Sequence, residues 1–181
     1  MSRRLILALC TSLPIACAAD ADADTAGSGE TDTEDGGGST GAAFDEDATI
    51  ARALAHATAL TQVNAESRPS QHGLASTVNV WADDGALEAY LALDPAAPGA
   101  APTWSPDALL VKEHLDGGGV PTGLTVMAQG DPDATSDGWW WARLDVDGTV
   151  HETGQVGFCI SCHTPVEASG WAFGVPLDNR R

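Results

Sequence analysis

Apolar positions fall into three regimes along this chain. Residues 5–9 are an unbroken apolar run behind Arg3 and Arg4, ending in small residues around Ala16. Residues 18–47 hold almost nothing apolar beyond alanine, and Phe44 is their only aromatic. Periodicity returns from residue 48. Ile50, Leu54, Ala57, Leu60 and Val63 recur near helical spacing, predicting an amphipathic helix over 48–63. Residues 76–81 alternate and are rich in β-branched side chains, which predicts a strand. Asp83 or Asp84 is placed to cap a helix over 86–93. Pro95, Pro98, Gly99 and Pro102 then predict a loop. Leu109, Val111 and Leu115 predict a second strand over 107–115, closed by a turn at 116–119. Further strands are expected at 123–129 and 139–146, the latter followed by the hairpin signal Asp147-Gly148. Trp140, Ala142, Leu144 and Val146 form its apolar set, with Trp139 and Trp141 beside Arg143. Short strands in the middle and helices at the flanks predict an α+β domain, mainly antiparallel β-sheet with flanking helices, over 48–181.

The front of the chain reads as processing rather than fold. A charged start, a short apolar middle and a small-residue end make 1–17 a secretory signal, and its apolar run is too short to span a bilayer. Two cleavage readings stand. Leu13-Pro14-Ile15-Ala16-Cys17 resembles a lipoprotein signal with Cys17 as the lipidation site, although Pro14 stands where leucine is usual. Ala16-Cys17-Ala18 alternatively offers an ordinary A-x-A-like cleavage site. Either places the protein outside the cytoplasm, in the periplasm or outer envelope, with any membrane contact made through the lipid. Residues 18–47 carry ten acidic and no basic side chains. They cannot bury enough surface to offset their ordering entropy, so they read as an acidic, disordered tether.

Charge changes the picture once more. Of 181 residues, 26 are acidic and 8 basic. The expected domain keeps 16 acidic and 6 basic side chains, a balance that argues against a nucleic acid partner. It suits solubility and would suit a basic electron partner.

Four cysteines are present. Cys10 leaves with the signal and Cys17 is the lipid candidate, so Cys159 and Cys162 remain as one close pair. Cys159-Ile160-Ser161-Cys162-His163 has the C-x-x-C-H spacing of c-type haem attachment. Two thiols add to the porphyrin vinyl groups, and the adjacent histidine reaches the iron as an axial ligand. One covalent haem c is therefore expected, on Cys159, Cys162 and His163. A structural zinc site needs four ligands, and His151 still leaves the set short. A thioredoxin-like pair normally opens an early helix, whereas this one lies near the C-terminus. An electron-transfer cytochrome c places its motif near the start and a methionine ligand much later, yet no methionine follows His163. A four-helix cytochrome c′ conflicts with the strand-rich middle.

Taken in order, several segments resemble the cytochrome P-460 and cytochrome c′-beta family. These are Gln71-His72-Gly73, Leu110-Val111-Lys112-Glu113-His114, Gly138-Trp139-Trp140-Trp141-Ala142-Arg143, the haem motif, and Trp171-Ala172-Phe173. The resemblance covers roughly residues 70–175. It implies a mainly antiparallel β fold, often a homodimer, with an open iron site that takes small nitrogen species such as hydroxylamine or nitric oxide. In the cytochrome P-460 branch a lysine is joined to the porphyrin edge, and the matching residue is Lys112. It is also the chain's only lysine, against seven arginines. Such a bond needs a neutral amine, which guanidinium cannot supply; the plain alternative is a lysine at the edge of a strand.

Where the crosslinked branch has a distal carboxylate, the match places Thr125, whose hydroxyl is a poor general base. Alternation puts Glu113 on the face opposite Lys112, and His114 on the Lys112 face as a substitute base or an ordinary strand histidine. Met127 shares a face with Thr125 and Gln129, as a sixth ligand or simple packing. Arg143 is a candidate partner for a haem propionate. Trp81, Trp104 and Trp171 are expected in the core, and His56 and His72 as structural or surface residues. Three readings remain open: an oxidoreductase passing electrons to an external acceptor, a non-enzymatic nitric-oxide binder, and a six-coordinate electron-transfer cytochrome using Met127.

Overall fold

The computed structural model describes residues 43–181 apart from His72 and Pro98. The expected signal, the Cys17 site, most of the tether and His72 lie outside the described residues. None of the described helices is long and apolar enough to cross a membrane.

The fold begins earlier than the sequence suggests. Asp45 caps helix α1 (Glu46–Leu54) by accepting from the Ala48 amide at 2.9 Å, and Glu46 and Asp47 occupy its first turn, where acidic groups suit the helix dipole. Phe44 packs on Trp140 with ring centroids 5.3 Å apart. Residues 44–47, expected in the tether, thus belong to the domain.

The long helix expected over 48–63 is also corrected. α1 stops at Leu54, a single turn α2 (His56–Ala59) follows, and Leu60 is extended. Thr61–Gln62 (β1) then joins the sheet, which buries Val63. The buried positions of α1 and α2 are Thr49, Ala53 and His56, while Leu54 is exposed. A four-residue apolar recurrence was satisfied as well by a helix entering a strand as by one continuous helix.

Apart from two strands that were not expected, the remaining elements run in the expected order. β2 (Arg68–Pro69) and β3 (Thr77–Ala82) lead to α3 (Asp84–Leu91), where Asp83 accepts from the Ala86 amide at 2.9 Å. Then come β4 (Leu109–Leu115), β5 (Pro121–Gln129), β6 (Trp139–Leu144), β7 (Val150–Gly154) and α4 (Gly157–His163). The strands make one seven-stranded antiparallel sheet in the order β1-β3-β4-β5-β6-β7, with β2 also on β3. The α+β, mainly antiparallel class is therefore what the chain adopts. β6 ends at Leu144, not residue 146, because Asp145 and Thr149 close the hairpin turn at 2.9 Å and leave Val146 half exposed. β7 was not anticipated; its burial pattern is mostly exposed and carries no alternating apolar signal.

Two cores lie on opposite faces of this sheet. Leu109, Val111, Leu124, Val126, Trp140, Ala142 and Leu144 pack with Ala53 of α1. Val80, Leu110, Met127, Trp139 and Trp141 pack with Tyr90 of α3, Cys159 of α4 and the C-terminal segment around Trp171. Strand alternation alone makes this division, since successive side chains point to opposite faces.

Candidate functional site

The second face carries the chemistry. In α4 the Ile160 amide bonds the Val156 carbonyl at 3.0 Å, so residues 159, 162 and 163 fall on one side of a helix. Cys159 and His163 are buried and Cys162 is half-buried; both cysteines are unbridged. They line a hollow of about 580 Å³, counted to its open mouth, with Lys112, Thr125 and Met127 from the sheet. Its other walls include Val80, Leu110, Trp141, Phe158 and Phe173.

His163 is held on three sides. Its Nδ1 donates to the Trp171 carbonyl at 2.6 Å, and the rings of Trp141 and Phe173 meet it edgewise at 4.8 and 5.0 Å. A proton on Nδ1 selects the tautomer whose lone pair is on Nε2, the form a metal-ligating histidine needs.

Lys112 stands directly across from Thr125 in the β4–β5 register. Burial against the apolar wall pushes its ammonium below the usual lysine range, opposed by the two cysteine thiols. The Thr125 hydroxyl is hydrogen-bonded to His114 Nε2 at 3.1 Å, but His114 is not among the residues that line the hollow with Lys112 and Thr125. His114 itself is buried and opens with Thr125 onto a second, polar hollow beside Arg143, Asp145 and His151. Met127 is buried between Leu110 and Trp141 in register. No Asp or Glu is among the described residues lining the first hollow.

Other candidates land elsewhere. Arg143 bonds Glu152 at 2.7 Å and lies 5.9 Å from the Phe158 ring, outside the hollow's wall. His151 bonds Asp145 at 2.9 Å, and no three His, Cys, Asp or Glu side chains gather as a metal group among the described residues. His56, expected as a structural or surface residue, is buried; its Nε2 lies 3.3 Å from Glu113 and its Nδ1 donates to the Ala53 carbonyl at 2.9 Å. Trp171 is core as expected, whereas Trp81 and Trp104 are only half-buried.

Sequence reasoning missed Tyr90, whose hydroxyl donates to the Phe173 carbonyl and whose burial keeps it protonated well above the ordinary phenol range. It missed Phe158 at the hollow's mouth, although that residue immediately precedes Cys159. It also assigned Trp171 to packing, while its carbonyl contacts His163.

The donor set fits a covalently held haem: two thiols and an imidazole on one helix face, against a largely apolar hollow that is open to solvent. No protein-family model matches the chain, and no curated protein matches it either.

Proposed function

We propose that this is an exported c-type haem protein of the cytochrome P-460 and cytochrome c′-beta kind, which binds a small nitrogen-containing ligand such as nitric oxide. Cys159 and Cys162 would hold the porphyrin and His163 would be its axial ligand. Haem c supplies an iron centre that binds small molecules and changes oxidation state. The chain's own contribution is support. Trp171 fixes the imidazole tautomer, Trp141 and Phe173 fix its plane, and the apolar walls exclude water from the ligand's side. The observation carrying this reading is the C-x-x-C-H helix set against an apolar hollow with its histidine already oriented from behind.

Capture is favoured over oxidation because the hollow's described lining brings no carboxylate to accept a proton, and Thr125 occupies the position where the resemblance implies one. A second reading has its own support. Lys112 faces the hollow with its ammonium disfavoured by burial, the condition for a nucleophilic amine. That favours a porphyrin crosslink and hydroxylamine oxidation, with electrons leaving to an external acceptor.

Optical spectra of the matured protein test both. A five-coordinate resting spectrum that changes with nitric oxide, without hydroxylamine turnover, is the expected result. A haem peptide joined to the Lys112 peptide, with turnover, would select the second. A six-coordinate low-spin spectrum lost in Met127→Leu would replace both with electron transfer. Mass spectrometry of the mature N-terminus decides between lipid at Cys17 and ordinary cleavage, and sedimentation decides whether the protein is a homodimer.

A further inference from the structure

Two described non-glycine residues have positive φ: Asp137 at 54° and Trp171 at 66°. Both adjoin a glycine that does the same, Gly138 at 81° and Gly170 at 74°. Asp137-Gly138 is an unremarkable turn, because aspartate and glycine tolerate this conformation. Trp171 is different, since a bulky side chain rarely adopts it. The helical cap does not require it either. The Trp171 amide bonds the Val166 carbonyl at 3.1 Å and the Gly170 amide bonds Glu167 at 2.8 Å, a closure in which one left-handed residue suffices. Gly170 is that residue, and a Cβ there would meet Trp104 Nε1 at 2.5 Å.

The second left-handed residue is therefore extra strain, and strain of this kind persists where the surroundings over-determine it. What it accompanies is specific. The Trp171 carbonyl accepts from His163 Nδ1 at 2.6 Å, and the Trp171 indole donates to Asp137 Oδ2 at 2.9 Å. The two strained positions, 34 residues apart, are thus tied by one hydrogen bond, and one of them holds the histidine. Asp137 is steadied in turn by Gln129, which donates to its carbonyl at 3.2 Å.

We propose that Asp137 and Trp171 form a positioning clamp for His163: the Asp137 carboxylate anchors the Trp171 indole, and the anchored residue keeps its strained carbonyl aimed at Nδ1. This rests on the haem reading for what His163 ligates, but not for the clamp itself. Neither residue touches the reacting site; both act through His163.

Three variants separate the anchor from its charge. Asp137→Asn keeps an acceptor oxygen and tolerates the same backbone. Asp137→Gly keeps the backbone and removes the acceptor. Trp171→Phe keeps the ring and removes the N–H. In the full-length chain made without haem attachment and labelled with 15N-histidine, the wild type and Asp137→Asn are expected to show His163 as one tautomer protonated at Nδ1. Asp137→Gly and Trp171→Phe are expected to show mixed tautomers, with the double variant no worse than either single one. In matured protein the same pair should lower and broaden the iron–histidine vibrational band while Asp137→Asn leaves it in place. An unshifted tautomer in both Asp137→Gly and Trp171→Phe overturns the clamp. So does an Asp137→Asn variant that behaves like Asp137→Gly, because charge and not anchoring would then be at work. Wild-type protein that matures without haem overturns the proposed function instead, and the tautomer measurement still judges the clamp.

Discussion

The two faces of the central sheet are built from the same strands and behave as different materials. On the α1 side, Leu109, Val111, Val126, Trp140 and Ala142 close over one another, and the buried acid among them is held. Glu113 Oε1 lies 3.3 Å from His56 Nε2 and its Oε2 accepts from Asn79 at 2.9 Å; Asn79 in turn bonds Asn64 and Ser67. One residue away, on the α4 side, Lys112 lines the hollow, and its amine makes no hydrogen bond or ion pair among the described residues. A buried polar group is normally paired, because leaving it unmade costs its desolvation. Glu113 obeys that rule as structure. Lys112 is half-buried at the open hollow, beside two thiols and an imidazole, and belongs to no such network.

The contrast predicts what breaks on each side. The largest effect is on the α4 side: Cys159→Ser with Cys162→Ser should abolish covalent haem, read as a chain whose mass lacks the porphyrin after cytochrome c maturation. Full retention of covalent haem would sink the assignment. Next comes the neighbouring pair. Glu113→Ala leaves the Asn79 amide without its acceptor in the core and removes the His56 contact, and should cost about 1–3 kcal/mol in urea unfolding, the range for a buried polar group left unsatisfied. Lys112→Met removes a desolvated amine and keeps its volume, so stability should stay within about 0.5 kcal/mol of wild type or rise. Equal losses from both would mean that the faces do not differ as described.

Sequence pattern carried the sheet well and its first helix poorly, for one physical reason. Period two is unambiguous in residues 109–115 and 123–129, where alternation correctly put Glu113 opposite Lys112 and grouped Thr125 with Met127. The apolar spacing over 48–63 fits a helix, but it also fits a helix that ends at Ala59 and delivers Val63 to the core. Of the site, the C-x-x-C-H residues were legible because their spacing is local, whereas Lys112 and Thr125 were singled out only through the family resemblance. Tyr90 and the Asp137–Trp171 bond were not legible, since they come together across long separations in chain and depend on backbone conformation. The break in β6 after Leu144 was likewise hidden, because Val146 keeps the alternation while the Asp145–Thr149 turn has already ended the strand.

A smaller effect sharpens the α4 side before haem is attached. Burial pushes the Cys159 thiol up to about 11, despite the nearby Lys112 and Arg143 charges. At pH 8 it should hold about a hundredfold less thiolate than an exposed cysteine and alkylate correspondingly slowly, with the rate climbing tenfold per pH unit. The folded chain binds this proton more tightly than the unfolded one. Its stability should therefore be flat below the ordinary thiol range and fall as pH rises from there to about 11. Alkylation of Cys159 at pH 8 at an exposed cysteine's rate would show that the hollow's wall is open.

The smallest effect tests where that wall ends. Arg143 lies on the Thr125 side of β6 but bonds Glu152 at 2.7 Å, with side chains 31% and 47% exposed. An ion pair this accessible contributes at most about 1 kcal/mol and weakens with salt. Arg143→Ala and Glu152→Ala should therefore match in unfolding free energy, each losing its small effect by roughly 1 M salt, where screening acts within about 3 Å. The two variants part company if Arg143 serves the haem. Arg143→Ala would then weaken haem-dependent stabilisation of the matured protein, while Glu152→Ala would release the guanidinium and preserve it. Identical thermal midpoints for the two matured variants would place Arg143 on the solvated margin of the sheet, outside the site.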